Sequence, residues 1–132
     1  MRKSNSSNSI NEKSILEDCP ITSTWLAIGG RWKLVIIWQL RDSPMRYNML
    51  FRAIPNISQK MLTQQLKSLV EEGWVYKTDF KEIPPRTEYK LSKLGLSFLP
   101  ILRKIYDWGK ENDIAAKYSV GPFKEEPRTK HR

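Results

Sequence analysis

The sequence predicts an α+β fold, mostly helical: a run of helices, a two-stranded hairpin and a further long helix. Three observations predict it. Apolar residues recur at helical spacing through residues 20–40 and again through 46–72. The period changes to alternation after Gly73, in "WVYKTDF" and "EYKLS". It returns to helical spacing in "KLGLSFLPILRKIYDWGKENDIAA". A chain of 132 residues suits one domain with loose ends.

Residues 1–16 are Ser/Asn-rich and polar and are expected to form a disordered arm. Pro20 suits the first turn of a helix, Ile21, Trp25 and Ile28 fall at helical spacing, and Gly29-Gly30 ends the run. "RWKLVIIWQL" reads as a second, largely buried helix, stopped by Pro44. Tyr47, Leu50 and Phe51 mark a short amphipathic helix. Pro55 and Asn56 make a turn, and Ser58 is a good N-cap for "QKMLTQQLKSLVEEG". Adjacent prolines in "KEIPPRT" place a long basic tip, with Lys81 and Arg86, between the two strands. The last helix carries Leu94, Phe98, Ile101, Ile105 and Trp108 on one face, and Pro100 is expected to kink or distort it. Residues 17–116 form the expected domain, and the Pro-rich, charged residues 117–132 the expected flexible tail.

Composition narrows the function. Cys19 is the only cysteine and His131 the only histidine, so an internal disulfide, a cysteine metal site and histidine catalysis are excluded. Neither a leader nor a membrane span is read, and a cytoplasmic setting is expected. The formal charge is +9, and residues 31–93 carry twelve basic side chains against six acidic. An excess in the folded middle fits a phosphate backbone or another acidic surface.

Two short helices around a tight turn, followed by a basic hairpin, make a winged helix-turn-helix with a two-stranded wing and extra N- and C-terminal helices. From about Cys19 to Gly109 the chain also resembles the HxlR-type transcriptional regulators, relatives of the MarR type. The resemblance rests on "CP", "IGGRWKLVII", "RYNMLFRAIPNISQKMLTQQLKSLVEEG" and "PPRTEYKLSKLG" in that order. It departs at Met49, where such proteins usually carry an acidic residue. The resemblance implies a DNA-binding homodimer joined through the outer helices.

On the helix at about 58–72, Leu62, Leu66 and Leu69 fall within about 60° of arc. Lys60, Thr63, Gln64 and Lys67 occupy the opposite side, as a recognition helix requires. Glutamine suits adenine, lysine suits guanine or phosphate, and a threonine methyl suits thymine. Ser58, Gln59 and the exposed N–H groups of the first turn suit a phosphate. Arg46 reads as a phosphate clamp. Lys81 and Arg86 of the wing (about 80–87) read as contacts to the minor groove or backbone. Arg86 has a second reading, an ion pair with a neighbour such as Glu88.

Trp25, Phe98, Ile101, Ile105 and Trp108 are the expected dimer contacts, since an apolar last helix with no further domain to cover it calls for a partner. Cys19, at an N-cap before Pro20, has two readings. One is a sensor of oxidants or electrophiles, which the resemblance implies and which a lowered thiol pKa would serve. The other is a packing residue. The function expected is a sequence-specific repressor acting as a homodimer on two-fold symmetric double-stranded DNA, without cofactor, metal or catalytic residues. The rival is a winged-helix module that binds protein. Such modules tend to lose the basic residues that Lys60, Lys67, Lys81 and Arg86 supply here.

Overall fold

A computed structural model describes residues 18–118. The expected N-terminal arm, and the expected tail beyond Tyr118, lie outside the described residues. Two compact units make up the chain, Met1–Arg31 and Trp32–Arg132.

In the first unit, helix α1 spans Pro20–Ile28, with Pro at N1 and an extended Cys19 as N-cap. It stops at Gly29, whose N–H donates to the Trp25 carbonyl at 2.7 Å. A Cβ at Gly29 would lie 2.5 Å from that same oxygen, so only glycine closes this helix without a shift. Ile21, Trp25 and Leu26 are exposed on α1.

The second unit begins with α2 (Lys33–Gln39). A short strand β1 (Met45–Arg46) leads into α3 (Tyr47–Ala53), followed by α4 (Gln59–Glu71). Strands β2 (Val75–Phe80) and β3 (Arg86–Leu91) form the hairpin. Helices α5 (Lys93–Glu111) and α6 (Ile114–Tyr118) complete the described chain. The sheet is antiparallel with order β1-β3-β2, so the wing is backed by a third strand that the sequence pattern does not announce. Met45 pairs with Tyr89 and Arg46 with Glu88. On the other edge of β3 the register runs from Val75↔Leu91 to Phe80↔Arg86.

The most deeply buried side chains are aliphatic. Ile36 and Ile37 of α2, Leu50 of α3, and Leu62, Leu66 and Leu69 of α4 are buried, together with Ile54, Ile57, Val75 and Leu91. The buried leucines of α4 are the stripe that period 3.6 picks out.

Helix α5 is fastened to this core at its start. Ser92 caps it by accepting from Gly95 N at 3.2 Å, and its hydroxyl points back to the carbonyls of Gly73 (2.6 Å) and Trp74 (3.0 Å). A Cβ at Gly95 would fall 2.5 Å from the Trp74 oxygen, so the close approach of α5 requires glycine there. Phe98 then meets Trp74 edge-on, with ring centroids 6.1 Å apart. Phe98, one of the expected dimer contacts, is buried in the chain's own core together with Leu102. Ile101, Ile105 and Trp108 remain exposed. Pro100 leaves α5 unbroken. The partner it removes is the carbonyl of Leu96, and both residues are exposed, where water can replace the lost bond.

Candidate nucleic-acid interface

The α3–α4 turn is made without glycine. Asn56 takes the left-handed conformation (φ 65°), which asparagine tolerates better than most residues. Ser58 then caps α4, accepting from Met61 N at 3.0 Å. The far end closes with paired reverse bonds, Gly73 N to Val70 O (3.1 Å) and Trp74 N to Leu69 O (2.9 Å), with Gly73 at φ 88°. Both ends of α4 are therefore fixed by specific residues, and the register of its exposed face is fixed with them.

That face holds Gln59, Lys60, Thr63, Gln64 and Lys67, all exposed. No carboxylate pairs with Lys60 or Lys67 among the described residues. The acids of α4 sit at its C-terminal end, where Glu72 is engaged by Lys33 at 2.8 Å. Tyr47 of α3, which the sequence reading grouped with Leu50 and Phe51 in a short amphipathic helix, reaches the exposed face of α4. Its hydroxyl donates to the Gln59 carbonyl at 3.1 Å and lies 3.0 Å from Thr63 Oγ1. A half-buried tyrosine normally needs a partner for its hydroxyl, and this is the signal that could have found it. Arg46, the N-cap residue of α3, is exposed.

Within the wing, Lys81 is exposed at the tip. Of the two readings of Arg86, the structure contains the ion pair. Its guanidinium lies 3.1 Å from Glu82 and 3.6 Å from Glu88, and stacks on the Phe80 ring at 3.9 Å. Across the same strand pair, Thr87 Oγ1 donates to Asp79 at 2.8 Å. Arg86 therefore braces the hairpin, and its charge is already matched.

Cys19 lies half-exposed at the N-terminus of α1. The backbone N–H groups of Thr22, and then of Ile21, lower its thiol pKa, outweighing the opposing effect of partial desolvation. Among the described residues no group of three or more His, Cys, Asp or Glu could hold a metal ion. No helix there is long and apolar enough to cross a membrane.

A helix-turn-helix backed by a braced wing, with a free basic and amide face on its second helix, defines a winged-helix transcriptional regulator. Residues 27–116 match the family described as HxlR-like helix-turn-helix, and the chain belongs to it. It is 36% identical over 103 residues to the uncharacterized HTH-type transcriptional regulator YybR of Bacillus subtilis (strain 168), covering 77% of this chain and 82% of that one. Among solved structures, a MarR-family transcriptional regulator from Porphyromonas gingivalis W83 superposes with TM-score 0.69 at 39% identity, over 84% of this chain and 99% of the other. The redox regulator HypR in its reduced form gives TM-score 0.71 at 35% identity, over 76% of this chain and 100% of HypR. The relatives are named as regulators, a class without enzymatic activity.

Proposed function

We propose that the protein is a homodimeric repressor that binds a two-fold symmetric site in double-stranded DNA through α4. One observation carries the DNA reading. The exposed face of α4 presents Lys60, Thr63, Gln64 and Lys67 with no neutralising acid among the described residues, directly opposite a fully buried leucine stripe. The N-terminal half of such a helix meets base edges, with Gln64 on adenine, and Lys67, about one turn further along, meets guanine or phosphate. Ser58, Gln59, Arg46 and Lys81 are the backbone contacts of this reading. Arg86 acts by holding the wing in shape.

The dimer reading rests on exposed apolar side chains: Trp25 on α1, and Ile101, Ile105 and Trp108 on α5. Ile105 also lines an apolar groove of 300 Å³ with Leu34, Trp38 and Tyr106, a further surface that association can bury.

Selection of bound sequences from a random duplex pool tests both parts. Enrichment of a motif with two-fold symmetry, its half-sites about one helical turn apart or a small multiple of that, is the expected result. No enrichment at low salt would favour the protein-binding module.

A second reading makes Cys19 a sensor of oxidants or electrophiles. It is favoured by the lowered pKa of an accessible thiol at a helix N-terminus. The likeness to HypR, solved as a redox regulator in oxidized and reduced forms, points the same way. So does the likeness to YodB, solved after diamide treatment. On this reading an oxidant lowers DNA affinity in the wild type and leaves Cys19→Ser unaffected.

A further inference from the structure

The hydroxyls of Tyr47 and Thr63 determine each other's proton positions. Tyr47 has one proton and gives it to the Gln59 carbonyl at 3.1 Å. Its oxygen then accepts from Thr63, so Thr63 Oγ1 is the donor of the 3.0 Å bond. The Thr63 proton is therefore spent inside the protein. Thr63 is exposed, and of its two γ substituents the hydroxyl is the one engaged by Tyr47.

We propose that Tyr47 is a positioning residue that locks Thr63 so that α4 reads thymine through the Thr63 γ-methyl, not through its hydroxyl. This rests on α4 entering the major groove, as proposed above. An unrestrained threonine is a poor discriminator, because its hydroxyl both donates and accepts and can satisfy several base edges. A threonine whose proton is committed cannot donate to thymine O4 or guanine O6. Its oxygen can still accept from adenine N6 or cytosine N4, but toward thymine what it offers is an apolar contact, and the thymine C5-methyl is the one apolar group in the groove. Tyr47 is anchored to the backbone of α4 itself, at Gln59, so the lock moves with the helix and does not depend on the wing.

Thymine and deoxyuridine differ only by that methyl, which makes the inference directly testable. The duplex enriched from the random pool is resynthesised with deoxyuridine replacing thymine at one position at a time. Binding is measured for the full chain, wild type and three variants. In the wild type, one position per half-site is expected to weaken binding about fourfold on losing the methyl, the worth of one buried methyl group. Thr63→Ser abolishes the effect at that position, because serine keeps the hydroxyl and lacks the methyl. Thr63→Val retains it, because valine carries a methyl in either position. Tyr47→Phe, with its thermal midpoint measured as a control on folding, reduces it to under twofold.

A wild type indifferent to the methyl at every position overturns the inference while leaving DNA binding intact. Loss of the methyl effect in Thr63→Val overturns the methyl reading, and full retention in Tyr47→Phe overturns the positioning role. A wild type that enriches no duplex overturns the DNA reading beneath it as well.

Discussion

Helix α4 and the wing carry charge of the same sign and use it differently. On α4, Lys60 and Lys67 project from a rigid scaffold with no acid opposite them among the described residues. The wing's Arg86 is enclosed by Glu82, Glu88 and the Phe80 ring. Formal charge counts these side chains alike. Availability separates them: a guanidinium already holding two carboxylates must give them up before it meets phosphate, whereas a free lysine gives up only water and counterions. The basic excess of the folded middle is thus not spread evenly as binding potential. Lys60 and Lys67 present it on the face of α4 and Arg86 withholds it, while Arg46, Arg52, Lys77, Lys81, Lys90 and Lys93 are exposed elsewhere in the same stretch.

Substitutions can break this contrast at several strengths. The largest effect is expected beneath the binding face. Leu66→Ala empties a fully packed site and should lower unfolding stability by about 2–5 kcal/mol in urea titrations. Ile83→Ala, at a wing-tip position that is 100% exposed, should stay within about 0.5 kcal/mol of wild type. On the face itself, Gln64→Ala should cost about 1–3 kcal/mol on the preferred duplex and relax selectivity at one position per half-site. Ser58→Ala removes the cap of α4 and should cost about 1 kcal/mol of stability, read from thermal unfolding. The smallest and most local effect is at Cys19. A depressed thiol pKa means a larger thiolate fraction at neutral pH, so iodoacetamide should alkylate Cys19 at pH 7 faster than a free model thiol. The advantage should shrink as the pH rises and the model thiol ionises too.

Much of α4 was legible in the sequence because its signals are local and agree. Ser58 caps, the leucines repeat at 3.6, and Gly73 stops the helix. The turn was legible except in one respect: it lacks glycine, and Asn56 supplies the left-handed residue instead. Strand β1 was missed because two residues carry no period, and its pairing partner lies more than 40 residues away, at Tyr89 and Glu88. Phe98 was assigned to a partner subunit for a related reason. Helical spacing groups it with Ile101 and Ile105 but cannot say which edge of a broad apolar face meets its own core. Gly95, one turn earlier on the buried edge, marks the inward side through the close approach to Trp74. Tyr47 was read by its ring, and its hydroxyl, which reaches α4, has no periodicity to betray it. Arg86 was weighed between two readings, and its ion pairs became visible only with the placement of Glu82 and Glu88 on either side of it.

The salt dependence of duplex binding tests the central claim most directly. The slope of log K against log salt counts the phosphates neutralised. It should be compared for wild type, Lys67→Ala and Arg86→Gln on one duplex. The account predicts that Lys67→Ala flattens the slope by about 0.9 for each lysine removed from a phosphate, while Arg86→Gln leaves it unchanged. A flattened slope in Arg86→Gln, with Lys67→Ala indistinguishable from wild type, would contradict it.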